Sequence, residues 1–435
     1  MIKATNLVKT GIAWIPEIPS DWDLKRIKLL FDFNKNIVGK TSADYDVLSL
    51  TTKGVIKRDL ESGMGKIPAS FDGYQIVKPN SIMLCLFDMD VTPRVVGHVD
   101  DDGIISAAYT NIIPKKGINS KYYYYYFLLQ DKNRSLLALG TGIRITLNKD
   151  FFGTLKIPVP PLEVQNSIVA YLDKKNKEIG MFIRNKERLI ELLEEEKNGI
   201  INQTILKGLN PDAKLKDSEI DWIGEIPNNW IVKKLRYLGN FQNGVSAGAD
   251  YFGSGYPFIS YGDVYNNTVL PNEITNLAKS TKEDRIRFSI IEGDVFFTRT
   301  SETIEEIGFS SVCLNTIENA NFSGFLIRFR PKPKTLNKGY SKYYFRSNLH
   351  RRYFVKEMNL VTRASLSQDL LKNLLVILPS IEEQEEIANY LDIKLNEINL
   401  IIKKIEKEIS SIKEYRESLI TDLVTGKRCL PNDLE

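Results

Sequence analysis

Two stretches of the chain carry apolar residues at heptad spacing. In the second, Leu391, Ile398, Ile405, Ile412 and Leu419 are each seven apart, and subtracting 219 gives Leu172, Ile179, Lys186, Leu193 and Ile200 in the first. A seven-residue repeat keeps one face of an α-helix turned towards a partner. Pro161 to about Lys207 and Ser380 to about Thr425 are therefore predicted to be helices on the order of 65 Å long, made to lie against each other. Pro161 suits a first helical turn, Ser380 and Glu383 form a capping box, and Gly208 and Gly426 stand where the helices should end. Lys186 interrupts the first seam, where a polar residue fixes register at some cost in stability.

A second repeat precedes each helix. Trp14-Ile15-Pro16-Glu17-Ile18-Pro19-Ser20-Asp21-Trp22 recurs as Trp222-Ile223-Gly224-Glu225-Ile226-Pro227-Asn228-Asn229-Trp230, and from Trp14 to Phe33 against Trp222 to Phe241 9 of 20 positions are identical. The prolines and paired tryptophans indicate an extended docking strap. Short β-like runs follow in the first half, Val47–Leu50, Ile82–Phe87 and Arg94–Val99, bounded by turn residues. Ser120-Lys121 then opens the run Tyr122 to Tyr126. It reads as a base-stacking surface or, with more support, as a short helix capped by Ser120 that packs its rings on a sheet. Ser341-Lys342-Tyr343-Tyr344 stands at the matching place but is followed by Arg346, Ser347 and Asn348. Leu147 to Ile179 matches Leu366 to Ile398 at 13 of 33 positions, whereas the interiors between strap and helix, which include 256–263 and 293–301 in the second half, share little that aligns.

The expected organisation is α+β: two mixed α/β domains joined by two long antiparallel coiled-coil helices, a pseudo-two-fold internal repeat. The boundaries are 1–155 for the first domain with its strap, 156–210 for the central helix, 211–374 for the second domain with its strap, and 375–435 for the C-terminal helix and tail. This order implies a globular unit at each end of a stiff spacer.

Composition adds little. A net charge of +4 on 114 charged side chains neither demands nor excludes nucleic acid. Three scattered cysteines suggest a reducing compartment, and no apolar run approaches 18 residues, so a soluble cytoplasmic protein is expected. The search for chemistry comes back empty. Gly39-Lys40-Thr41 lacks the leading glycine of a phosphate loop, since Asn34 stands there, and Gly63-Met64-Gly65 reaches Pro68 where a dinucleotide fingerprint needs glycine. Two histidines, His98 and His350, make neither a zinc site of usual spacing nor an evident Ser-His-Asp triad. Pro211-Asp212 lies in a polar linker with no strand to complete a nuclease motif, and no Asn-Pro-Pro-aromatic tetrapeptide of a methyltransferase occurs. No catalytic residue and no metal site are expected.

Together the two straps, the hinge Ile157-Pro158-Val159-Pro160-Pro161-Leu162-Glu163-Val164-Gln165, the helix starts Tyr171-Leu172-Asp173 and Tyr390-Leu391-Asp392, the segment Gly293 to Ser301 and the tail Val424-Thr425-Gly426-Lys427 resemble the specificity subunit of a Type I restriction–modification system, over nearly the whole chain. Departures are Val164 where a glutamate is usual, and Ile377 and Ser380 where proline is. The resemblance implies a non-catalytic reader of double-stranded DNA whose two target-recognition domains each read half of an asymmetric bipartite site. It implies two modification subunits docked on the helices, where Glu195 and Lys197 are candidate contacts, and restriction (motor-nuclease) subunits beyond them. This chain would hold no cofactor. S-adenosylmethionine would belong to the modification subunits, ATP and Mg to the motor subunits. No membrane is involved.

Candidate DNA contacts are polar and basic residues of loops: Arg94, Arg144 and Thr146 in the first domain, and Arg299, Thr300, Ser301, Arg363 and Ser365 in the second. Arginine forks onto guanine or pairs with phosphate, and Ser and Thr suit either role. Arg144 and Arg363 stand 219 apart, each just ahead of a hinge. Read otherwise, each is a surface ion pair. Three rival readings remain: a coiled-coil scaffold that binds only proteins, an enzyme acting alone on DNA, and a member of a methylation-only complex.

Overall fold

The computed structural model describes residues 6–12, 14–33, 35–61, 68–301, 307–350, 353–354 and 364–430. Both heptad stretches are continuous helices, Leu162–Lys207 and Ile381–Val424. The chain divides into two compact units, Met1–Lys186 with Lys407–Glu435, and Glu187–Glu406. Each unit therefore holds part of both helices. In the first, Ile168 and Leu172 share a core with Leu419 and Leu423, while Lys186 Nζ lies 2.8 Å from Glu408 Oε2, so the two segments run antiparallel. In the second, Ile205 packs with Ile387 and Leu391. Leu172, Ile179, Leu391, Ile398, Ile405 and Leu419 are buried, and Leu193, Ile200 and Ile412 half-buried. Leu395, Ile402 and Ile409 are buried between the heptad positions of the second helix, which completes the alternating four-and-three spacing of a coiled-coil seam.

The same sheet recurs in both units. Its order is Phe31–Asp32, Thr110–Pro114, Ser81–Leu84, Val96–Val99 in the first and Gly239–Asn243, Leu326–Pro331, Val295–Thr298, Ser310–Val312 in the second, antiparallel throughout. Strand alternation splits its side chains between two cores. Ile82 and Leu84, like Val295 and Phe297, face an inner core shared with the strap and a long helix. Met83 and Phe296 face outwards onto separate clusters. The outer cover differs: the ribbons Leu48–Thr51 with Gly54–Lys57 and Gln75–Val77 with Gly103–Ile105 in the first unit, and the Phe252–Ile259 sheet in the second. The interiors are thus related on one face and unlike on the other.

Each strap is half of a hairpin, Ile15–Pro19 on Leu7–Ile12 and Glu225–Pro227 on Leu215–Asp217. Its closing tryptophan caps a helix. Gly426, at φ +69°, sits so close to the strap that an added Cβ would lie 2.5 Å from the Pro19 ring and 2.9 Å from Trp22. Gly208, at φ +72°, stands likewise against Trp230, at 3.2 Å. Only glycine takes the left-handed conformation freely, and these are the two helix ends that need it.

The tyrosine helix Ser120–Lys132 corrects two expectations. Its cap is Asn119, whose side chain accepts from Lys121 and Tyr122, and Ser120 lies inside the helix. Its counterpart Lys338–Tyr344 is capped by Asn337, so the register differs by three residues from the Ser120/Ser341 match. Tyr122, Tyr125, Tyr126 and Phe127 then correspond to Tyr340, Tyr343, Tyr344 and Phe345. Tyr122, Tyr123, Tyr125 and Tyr126 are buried, which removes the stacking surface. The hinge residues tie this helix down. Gln165 accepts from Asn119 N–H and donates to Pro160 O, as Gln384 does with Asn337 and Pro379. Asp173 and Asp392 each accept a lysine and a tyrosine, Lys121 with Tyr125 and Lys342 with Tyr343.

Candidate nucleic-acid interface

In each unit the segment ahead of the hinge folds back beside the exit of the Ser81–Leu84 or Val295–Thr298 strand. Leu147 N–H donates to Leu86 O at 2.8 Å, and Leu366 N–H donates to Arg299 O at 2.7 Å. A strand exit paired with a returning segment is a loop pair on a rigid scaffold, the usual seat of binding residues.

In the first unit the exit is the turn 87–95, with Asp88 at φ +48°. The returning segment is a tight hairpin in which Thr141 and Thr146 exchange both backbone hydrogen bonds at 3.0 Å. The loops are joined by Met89 N–H to Ile145 O at 3.0 Å and Ile145 N–H to Asp90 Oδ1 at 3.2 Å. Arg144 projects from the hairpin with its side chain 81% exposed, and among the described residues it has a long 3.4 Å contact to Asp88. An exposed pair of this kind contributes at most about 1 kcal/mol, so the guanidinium can turn to a stronger partner. Exposed Thr146 donates its hydroxyl to Arg144 O. Arg94, half-buried, donates to Thr52 O at 2.8 Å and borders a cleft of about 360 Å³ together with Lys132 and Arg134. The Asp131 carboxyl in that cleft accepts from Val95 N–H, and burial raises its pKa above the ordinary carboxylate value. Arg94, Arg144 and Thr146 thus share one loop pair.

The second unit brings its candidates together as a ribbon. Thr300 pairs with Ser365 and Ser301 with Ala364, antiparallel. Arg299, half-buried, precedes them and donates its backbone N–H to Phe325 O at 2.9 Å. Thr300 is half-buried and Ser365 exposed. Arg363 lies outside the described residues. Thr146 and Ser365 occupy the same place, one residue before the leucine that donates to the strand exit. Two other arginines of this unit are structural. Arg330 forks onto buried Asp294 with both contacts at 2.7 Å, and Arg328, pushed down to about 10 by burial, lies over the Phe322 ring.

Residue types alone did not single out Lys132 and Arg134 on the cleft, nor the exposed apolar Val91, Ile143 and Phe325 beside the candidates. Exposure of a loop tip leaves no mark in sequence.

One cluster has the outline of a hydrolytic site without an opening. His98 Nδ1 lies 2.8 Å from Asp100 Oδ1 and its Nε2 lies 3.0 Å from Ser120 Oγ, the connectivity of a triad that the histidine count had argued against. Yet His98 and Ser120 are both buried, and the clefts of about 360 and 650 Å³ in this unit are lined by other residues. A nucleophile needs an open site beside it. Among the described residues no group of three His, Cys, Asp or Glu could hold a metal ion, and no helix is long and apolar enough to cross a membrane.

A family model, the Type I restriction modification DNA specificity domain, matches residues 19–192 and 227–411. The chain is 25% identical over 418 residues to the Type I restriction enzyme MjaVIII specificity subunit of Methanocaldococcus jannaschii, covering 94% of this chain and 93% of that one. It is 24% identical over 302 residues to the EcoKI specificity subunit of Escherichia coli, covering 67% and 62%. Among solved structures it resembles the HsdS subunit from Thermoanaerobacter tengcongensis with a TM-score of 0.55 at 16% identity, covering 94% and 98%. A chain from a structure describing complex assembly and conformational transition of the type I R-M system gives 0.70 at 15% identity, covering 94% and 99%.

Proposed function

This chain belongs to the Type I restriction modification DNA specificity family, and from that premise we propose that each of its two units reads one half of an asymmetric bipartite DNA site. The protein is the non-catalytic DNA-recognition subunit of a restriction–modification complex. One observation carries the division into two readers. Both units bring a returning segment back to the exit of the same strand, with Arg94, Arg144 and Thr146 on these segments in one and Arg299, Thr300, Ser301 and Ser365 in the other. The inner faces behind these loops are alike and the outer faces are not, so unlike loops on like scaffolds would read unlike half-sites.

In this reading the two long helices set the gap between half-sites and dock two modification subunits. Those partners would carry S-adenosylmethionine for adenine methylation, and restriction subunits would bring ATP and Mg. Two modest half-site contacts on one chain act as a bivalent binder, so each gains from the other's presence. The protein-only scaffold gives no reason for a returning segment at the same strand exit beneath diverged covers.

Arg144→Ala tests the interface. Purified with its modification subunits, the variant should bind target duplex roughly tenfold more weakly, within the about 1–3 kcal/mol of a bidentate base contact. Subunit stoichiometry should be unchanged. Equal affinity in the assembled complex removes Arg144 from the interface.

A further inference from the structure

The hairpin that carries Arg144 also carries a fully exposed apolar side chain. Ile143 is 101% exposed, and Val91, on the loop hydrogen-bonded to this hairpin, is 74% exposed. The other isoleucine of the hairpin, Ile145, is half-buried. Ile145 folds over Gly140 so closely that an added Cβ there would come within 2.4 Å of it. Ile143, two residues earlier, is held outwards by a turn closed at Thr141 and Thr146. The carboxylates nearby are turned to the protein's own donors: Asp90 to Ile145 N–H, Asp131 to Val95 N–H, Asp88 to Arg144. What the loops leave outward is an aliphatic tip next to Arg144, on a loop pair whose other member lines a cleft with Arg94 and Arg134.

We propose that Ile143 contacts the 5-methyl group of a thymine in the half-site that the first unit reads. This rests on the reading of the chain as a DNA-recognition subunit and extends it to one side chain and one base. The major groove, about 12 Å wide, admits a tight hairpin such as the one closed at Thr141 and Thr146. The thymine methyl is the one apolar group that the major-groove edges display, and apolar contact is the way a side chain reads it. Arg144, the next residue, lies within reach of an adjacent base pair or phosphate. The tip would thus read an A·T pair beside the contact made by the arginine.

Deoxyuridine lacks only this methyl, which supplies the test. In the complex of the full chain with its modification subunits, each thymine of the target duplex is replaced in turn by deoxyuridine, for wild type and for Ile143→Ala. The expected result is one thymine whose replacement weakens wild-type binding about fourfold, the equivalent of burying one methylene-sized group. Ile143→Ala should bind the thymine duplex about fourfold more weakly and be indifferent to that same replacement. A wild-type complex with no sensitive thymine overturns the assignment, as does a sensitivity that persists in the variant. Loss of modification subunits from Ile143→Ala would place the residue in a protein interface and also overturn it. A wild-type complex that binds no duplex at all sinks both this assignment and the reading beneath it.

Discussion

Gly426 and Gly208 do the same task with different tolerances. Both end a long helix at positive φ against a strap tryptophan, but Gly426 is pressed on a proline ring, at 2.5 Å, while the nearest atom to a Cβ at Gly208 is the mobile end of Glu383, at 3.1 Å. A rigid ring cannot give way as a carboxylate can. Gly426→Ala should therefore cost about 2–3 kcal/mol, backbone strain plus displacement of the strap, and Gly208→Ala about 1 kcal/mol. Urea midpoints of the two variants check this, and equal shifts would mean that the strap adapts. Both glycines were legible in the sequence as helix ends. That each end would be covered by a tryptophan was not, because the strap and the glycine it covers are brought together only by tertiary packing.

One element shows how the repeat absorbs a departure from its own pattern. Pro158 has no N–H, and Tyr126 Oη in the first unit finds no partner among the described residues. In the second unit Ile377 stands where Pro158 does in the first, and its N–H donates to the hydroxyl of Tyr344, the counterpart of Tyr126, at 2.8 Å. Tyr344→Phe should leave a buried N–H unsatisfied and cost about 1–3 kcal/mol, whereas Tyr126→Phe should be nearly neutral. Thermal unfolding of the two variants separates these outcomes, and a loss at Tyr126 as large as at Tyr344 would contradict the assignment. Helices, straps and hinges were readable because period and proline placement are local properties. The cap at Asn119 was missed because Ser120 is an equally good capping type one residue later, and what decides between them is the Gln165 contact to the Asn119 N–H, 46 residues along the chain. The shared sheet was missed for a related reason. Its strands are short, and alternate side chains face a repeated inner core and a divergent outer one, which halves the identity an alignment can find.

The whole molecule is best understood as one reading device duplicated. Each unit keeps its strap, tyrosine helix, hinge glutamine and inner sheet face, and varies the outer cover and the loops at the strand exit. Of the proposed contacts, Arg144 and Arg363 were nominated by their 219-residue spacing. Ile143 was not, since an aliphatic residue looks like core until its surroundings are known. The central claim is that two readers act on one DNA site, and the most direct measurement is a genome-wide map of adenine methylation in a host that co-expresses this chain with its modification subunit. The account predicts one asymmetric motif in two parts, separated by a gap of fixed length and unspecified sequence, with Arg144→Ala relaxing or weakening one part alone. A single continuous motif, or a variant that disturbs both parts equally, would contradict it.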